Sequence, residues 1–263
     1  IVEVNLSTKF SGDHNDHSHA LNDNVHNMEN VTLISDVDSL VIGDQFNNII
    51  KTGDGDDELR GGEGNDILKS GAGNDYVYGE GGNDTIIQNG SGAQYYDGGE
   101  GVDTYVLDLE NFNLQENFIV EVNLNTFFSG VHLNHSHPLN DSVYNMENIK
   151  LKGDIDSVMT GDAYNNVIST DGGDDIIHAG DGNDEIRAEK GNDEIDAGGG
   201  NDYIRSGKGY DIITTGTGFD LVHMHKNHAT HSLETTDKIT DFEIGFDKIE
   251  LENINRINSK ISS

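Results

Sequence analysis

The chain contains no cysteine, so no disulfide braces it, and outside a reducing compartment its order must come from packing or from bound ions. Cationic residues are scarce: 15 Lys and Arg stand against 49 Asp and Glu, for a formal net charge of −34. That imbalance argues against nucleic acid or an anionic membrane as a direct partner. No apolar run approaches eighteen residues, so no segment is a candidate for helical membrane insertion. Hydrophobic residues make up only 33%, which for a metal-free chain lies on the disordered side, and mutual repulsion among the acidic groups opposes compaction further. Catalytic signatures are missing as well. There is no HExxH, GSGAQ (90–94) lacks a lipase-type nucleophile elbow, and SGKG (206–209) lacks the first Gly and the Ser/Thr of a phosphate-binding loop. No enzymatic activity is expected of these residues.

What the sequence does have is a phrase of nine residues, typified by GGEGNDILK (61–69), repeated in register. Copies start at Thr52, Gly61, Ser70, Gly79, Asn89 and Gly98, and again at Thr170, Ala179, Ala188, Ala197, Ser206 and Thr215. A fixed short period means one structural unit stacked many times, none able to bury its apolar face alone. The fourth position is always Gly, which permits a tight turn. The eighth is always apolar or aromatic, from Leu59 and Leu68 to Ile213 and Val222, between mostly polar neighbours. That alternation marks a short strand with one face inward. The sixth position is Asp57, Asp66, Asp75, Asp84, Asp103, Asp175, Asp184, Asp193, Asp202, Asp211 and Asp220, broken only by Gln94.

Each nonapeptide is therefore a turn plus a three-residue strand, and two make a coil of about eighteen residues. Turns on one edge recur every second repeat, placing Asp57 over Asp75 and Asp184 over Asp202. Carboxylates stacked at strand spacing, about 4.8 Å, repel one another. A hard divalent cation held by carboxylates and turn carbonyls removes that conflict. Calcium accepts such flexible all-oxygen geometry, whereas magnesium demands a stricter octahedron. The twelve-residue EF-hand loop is absent. The expected fold is all-β: two tandem parallel β-roll (β-helix) solenoids, each preceded by a β-rich lead-in.

These repeats resemble the RTX (repeats-in-toxin) family, secreted from Gram-negative bacteria through type I systems, whose hemolysin-type calcium-binding repeats form β-rolls. GDQFNN (43–48) and GDAYNN (161–166) are similar to the entry turns of such arrays, with Asn48 and Asn166 in place of the Asp. VEVNLSTKFSG with NMENV resembles a lead-in, and DKITDFEIGFDKIEL (237–251) resembles a closing segment. The resemblance implies that calcium is ligated by the eleven sixth-position Asp side chains and by main-chain carbonyls of the Gly-rich turns. Those glycines are Gly53, Gly55, Gly62, Gly64, Gly71, Gly73, Gly82, Gly180, Gly182, Gly191, Gly198, Gly200, Gly207 and Gly209, with Asn48 and Asn166 as uncharged members of the set. It also implies a secreted, extracellular protein whose partners are calcium and, through a longer parent, type I secretion machinery. A large toxin is the expected parent, with a giant adhesin or a secreted hydrolase as alternatives. Host-receptor or glycan binding by the lead-in loops (11–30 and 129–148) stays open.

Residues from Ile1 match residues from Ile119 at a constant offset of 118, as in IVEVNLSTKFSG and IVEVNLNTFFSG. The expected division is a lead-in at 1–42, a first roll at 43–106, a connector with duplicated lead-in at 107–160, a second roll at 161–223 and a capping segment at 224–263. Ile1 opens within a strand pattern, so the chain is expected to be part of something longer, and the lack of a signal peptide at its start carries no weight. His14, His17 and His19 recur as His132, His135 and His137, and HMHKNHATH supplies His223, His225, His228 and His231. Such spacings suit Zn²⁺ or Ni²⁺ or simply a soluble polar loop.

Roughly eight to ten calcium ions are expected, with fewer in the first roll if Gln94 does not ligate. With extracellular-type affinities near 10⁻⁴ M and about 1–2 mM calcium, each site contributes about 1.4–1.8 kcal/mol. At sub-micromolar cytosolic calcium the same sites contribute almost nothing. The sequence thus predicts a chain that is unfolded inside the cell and folded outside it.

Overall fold

The computed structural model describes residues 2–5, 10–13, 30–33, 36–110, 112, 119–125, 128–131, 140–224 and 237–251. Every regular element among them is a strand. One sheet contains, in chain order, β1 (Val2–Asn5), β2 (Phe10–Asp13), β4 (Ser39–Ile42), β6 (Glu58–Glu63), β8 (Tyr76–Gly81), β10 (Tyr95–Glu100), β12 (Val120–Asn123), β13 (Phe128–Val131), β14 (Asn140–Tyr144), β16 (Ser157–Thr160), β18 (Ile176–His178), β20 (Glu194–Asp196), β22 (Ile212–Thr214) and β24 (Lys238–Ile239). The other contains β3 (Asn30–Thr32), β5 (Ile49–Lys51), β7 (Ile67–Lys69), β9 (Thr85–Gln88), β11 (Thr104–Asp108), β15 (Asn148–Lys152), β17 (Val167–Ser169), β19 (Glu185–Arg187), β21 (Tyr203–Arg205), β23 (Leu221–Met224) and β25 (Lys248–Leu251). Consecutive strands of an array alternate between the sheets, so the chain winds as a parallel β-solenoid.

Register follows the repeat. Ile50 pairs with Leu68 and Leu68 with Ile86; Ile168 pairs with Ile186, Ile186 with Ile204 and Ile204 with Val222. In the facing sheet Val41, Leu59, Val77, Tyr96 and Val143 stack in turn. Side chains alternate along a strand, so holding register at eighteen keeps every eighth-position residue inside. All of them in the twelve repeats are essentially inaccessible. The extra residue, Gln88, lengthens the offset to nineteen (Tyr76 pairs with Tyr95) and is itself buried, its amide donating to Gly90 O at 2.8 Å. The first position is a second inward site. It holds mostly small side chains, and Ser70, Thr170, Ala179, Ala188, Ala197, Ser206 and Thr215 are all buried there.

The lead-ins depart from the parallel pattern as hairpins. β1 and β2 pair antiparallel, as do β12 and β13 at the duplicated position; β13 then pairs antiparallel with β14. β1 and β12 each lie parallel to a later strand of the same sheet, β4 and β16. Both sheets run without a break from the first array into the second: β11 pairs with β9 on one side and β15 on the other, and β10 joins β14. Leu107, Leu109, Val120, Val122, Leu151 and Met146 are buried at this passage and belong to one core cluster with both arrays. The 107–117 stretch therefore begins as packed chain, with Leu109 N–H bonded to Lys152 O and the Lys152 ammonium to Asp108.

Candidate metal centre

Two columns of turns flank the solenoid, one on each edge, and the sixth-position carboxylates line up inside them. In each column the backbone N–H of one Asp donates to Oδ1 of the Asp one coil later: Asp57 to Asp75, Asp66 to Asp84, Asp84 to Asp103, Asp175 to Asp193, Asp184 to Asp202, Asp193 to Asp211 and Asp202 to Asp220, at 2.7–3.1 Å. All eleven residues are buried. The second oxygen, Oδ2, of Asp57, Asp66, Asp75, Asp84, Asp103, Asp175, Asp184, Asp193, Asp202 and Asp220 is buried without a hydrogen-bond partner. A buried carboxylate oxygen left in this state costs several kcal/mol unless a cation meets it.

Electrostatics agree. Burial raises the Asp carboxyls, and the N–H bonds each accepts offset this only in part. Asp66, Asp75, Asp84, Asp103 and Asp184 are pushed to about 6, Asp175 and Asp202 to about 7, and Asp193 to about 8. Asp175, Asp193 and Asp202 hold protons near neutrality, and the others take them up just below it, unless positive charge displaces them.

The turn carbonyls provide the rest of an oxygen environment. A Cβ on Gly82 would overlap Gly64 O, and one on Gly200 would overlap Gly182 O; both glycines have positive φ (127° and 138°). Fourth-position carbonyls thus form a column against the α-carbons of the next coil, which only Gly allows. Second-position carbonyls stack similarly, Gly53 under Gly71 and Gly180 under Gly198. Among the described residues, the backbone bonds closing these turns use second- and third-position carbonyls (Gly199 N–H to Gly180 O, Gly200 N–H to Thr217 O), and none ends on a fourth-position carbonyl. Gly55, Gly64, Gly182, Gly191 and Gly200 thereby keep oxygens for a metal, whereas Gly73 O accepts the Gln94 amide and Gly180 and Gly198 each already accept one N–H. Gly62, Gly71, Gly207 and Gly209 occupy the corresponding positive-φ turn positions.

No three His, Cys, Asp or Glu side chains converge among the described residues. The ladder explains this: each gap is flanked by two carboxylates, and further ligands would be carbonyls or water. That donor set, all oxygen with few charges, suits calcium and is poor for zinc or nickel. Of the histidines, only His178 and His223 are described. His223 Nδ1 is buried without a partner, whereas His14, His17, His19, His132, His135, His137, His225, His228 and His231 lie outside the described residues.

Three uncharged residues interrupt the columns. Asn48 and Asn166 turn Oδ1 back to accept the N–H of Asp44 and Asp162 at 2.9 Å. The Asn166 amide donates to Glu147 O at 2.7 Å. Gln94 directs its amide at Gly73 O, 3.0 Å away. In each case a neutral N–H donor stands among the turn oxygens.

Sequence reasoning missed four carboxylates that close the columns from outside the repeats. Asp141 Oδ1 accepts Gln94 N–H at 3.0 Å, and Glu147 Oε2 accepts Asp103 N–H at 2.7 Å. Asp237 and Asp247 receive Asp211 and Asp220 N–H at 3.2 and 3.4 Å. Each heads an acid-x-apolar tripeptide (DSV, ENI, DKI, DKI), the only trace of the repeat once its glycines are gone. A second ladder was also unread. Fifth-position Asn and Asp oxygens accept the N–H one coil later, as in Asn65 to Asn83 and Asp174 to Asn192, each column ending at Ala93, Val102, Tyr210 or Phe219, whose side chains offer no such oxygen.

Fold and site together define a parallel β-solenoid whose turns gather buried carboxylate oxygens and backbone carbonyls, a donor set that fits a hard divalent cation. Within that class the chain carries RTX calcium-binding nonapeptide repeats: the model of that family matches four stretches in two overlapping pairs, residues 42–77 and 52–86, and residues 153–186 and 178–213. A search of curated proteins returns no match. The solenoid continues beyond the matched stretches with the same turn chemistry, through Asp103 and Glu147 and on to Asp247.

Proposed function

We propose that this chain is a calcium-triggered folding module of a secreted bacterial exoprotein, most simply a large toxin. The observation that carries this reading is the set of buried, unpartnered Oδ2 atoms, each belonging to a carboxyl that burial has pushed above its ordinary range. Without a cation, the folded state must either bury charge or take up protons. With calcium, the same oxygens become ligands beside the fourth-position carbonyls, and the site supplies charge neutralisation. At cytosolic calcium the chain stays extended enough for a narrow type I channel; at millimolar calcium it winds up outside and orders the parent. The Asp side chains hold the ion, the N–H ladder fixes their rotamers, and the eighth-position column supplies the core that winding completes.

The division into lead-in, roll, connector, second roll and cap belongs to this reading, as does a capacity of roughly eight to ten ions. The test is a calcium titration of chelator-treated protein followed by far-ultraviolet circular dichroism, with magnesium as the control. A cooperative coil-to-strand transition near 0.1–1 mM calcium that magnesium does not reproduce is expected. A spectrum already rich in strand in chelator at neutral pH would overturn it.

A further inference from the structure

The ladder distinguishes gaps bounded by repeat Asp on both sides from gaps closed by something else. At the passage between the arrays, the two edges are closed differently. On one edge Asp103 is followed by Glu147. On the other, Asp75 is followed by Gln94 and then Asp141. We propose that Glu147 completes a calcium site with Asp103 that ties the second lead-in to the first array, while on the opposite edge the Gln94 amide takes the place of an ion. The inference rests on the calcium reading above.

Three observations support the Glu147 half. Asp103 is wholly buried and its Oδ2 has no hydrogen-bond partner. That oxygen points into the space where inner turn oxygens gather elsewhere: a Cβ on Gly98 would lie 2.6 Å from Asp103 Oδ2 and would overlap Asn145 O. In the coil before, a Cβ on Gly79 would overlap Asp84 Oδ2 and Gly98 O. Asn145 O therefore stands where a first-position carbonyl stands in the array, and Asn145 reaches that place with a left-handed φ of 50°. Finally, Glu147 donates no bond through its side chain and accepts Asp103 N–H with one oxygen, matching the sixth-position Asp. On the side of the next coil, Glu147 lines a cavity of about 340 Å³ together with Asn145, Met146, Asp162 and Tyr164. The ENI turn is shorter than a GGxGxD turn, so water must fill coordination positions that glycine carbonyls fill elsewhere.

For the Gln94 half, Nε2 donates to Gly73 O, a fourth-position carbonyl that in the other coils accepts no backbone bond. A hydrogen-bonded amide cannot share that oxygen's inward lone pair with a cation, and it brings no negative charge. Its neighbour Asp141 is buried and is approached by the Tyr105 hydroxyl at 3.4 Å from Oδ2, so that edge is closed by neutral donors.

The experiment is the number of calcium ions bound at saturation, by equilibrium dialysis, for the full chain and for Glu147→Gln and Gln94→Asp. Circular dichroism in saturating calcium confirms that each variant is folded. The proposal expects about one ion fewer in E147Q and about one more in Q94D. An unchanged number in folded E147Q overturns the Glu147 site, and an unchanged number in Q94D overturns the amide substitution. Should E147Q fail to fold, Q94D still decides its half, and Asp103→Asn decides the other: Asp103 borders the gaps to Asp84 and to Glu147, so a folded variant that loses about two ions supports the Glu147 site and one that loses only about one overturns it. A wild-type chain that binds no calcium would instead overturn the parent reading, a different result from either variant's failure.

Discussion

The backbone N–H of Asp175 donates to Oδ1 of Asp193 at 2.9 Å, and Asp193 is the carboxyl pushed highest, to about 8. One oxygen is thereby fixed by the preceding coil while the other is held, buried and unpartnered, toward the turn interior. The same contact that orients the ligand removes it from water, so orientation and electrostatic cost are inseparable here.

Asp193→Asn should therefore have opposite effects in two conditions. In calcium it should lose the ions in the two gaps it borders, at about 1.4–1.8 kcal/mol each, and unfold at markedly lower temperature. In chelator at neutral pH the neutral amide should be no less stable than Asp, and more stable if the buried charge dominates. Paired thermal melts with and without calcium check both signs; destabilisation in chelator equal to that in calcium would mean a packing role.

Proton uptake gives a second expectation. Folded-state values of about 6 to 8 lie above the unfolded value near 3.8. The folded metal-free chain thus binds more protons, and this contribution is fully present below about pH 4 and lost as pH rises through about 6 to 8. In chelator, acidification from pH 8 towards 5 should raise strand content. In limiting calcium, the same acidification should weaken calcium binding as protons compete for the carboxylates. Circular dichroism and calcium titrations across that range test the pair of trends.

Gly200→Ala should destabilise the calcium-loaded protein by about 1 kcal/mol or more, since a methyl group there meets Gly182 O and φ is 138°. Because Gly182 O is a candidate ligand, apparent calcium affinity should fall along with stability. A thermal shift without any change in calcium midpoint would confine the role of that glycine to backbone conformation.

Asn65→Ala removes the oxygen that accepts Asn83 N–H at 2.9 Å. At this exposed position the expected loss is about 0.5–1.5 kcal/mol, with the number of bound ions unchanged. Urea unfolding in saturating calcium measures the first, and dialysis the second.

The array itself was legible because its signal is dense. Twelve copies fix which residue is sixth and which is eighth, and the structure buries both columns as that spacing implies. Glu147, Asp141, Asp237 and Asp247 were not legible, because a lone acid-x-apolar tripeptide is common in any sequence and only strand pairing places it on a column. The joining of both arrays into shared sheets was equally hidden. It depends on β14 and β15 finding β10 and β11 across more than forty residues, a choice made by packing rather than by local pattern. Gln94 lay between these extremes: its departure from Asp was plain in the sequence, but the contact of its amide with Gly73 O required the turn.

The alternation of strands between two sheets imposes a parity on this molecule. Removing or adding a pair of nonapeptides would leave every later strand on its own sheet and every later turn on its own edge. An odd change would exchange the two, carrying Asp247 to the edge now closed by Asp237 and the ENI tripeptide away from Asp103. Arrays of this construction can therefore lengthen or shorten in even steps with their end closures intact, and a single-repeat deletion should cost far more than the loss of its own residues.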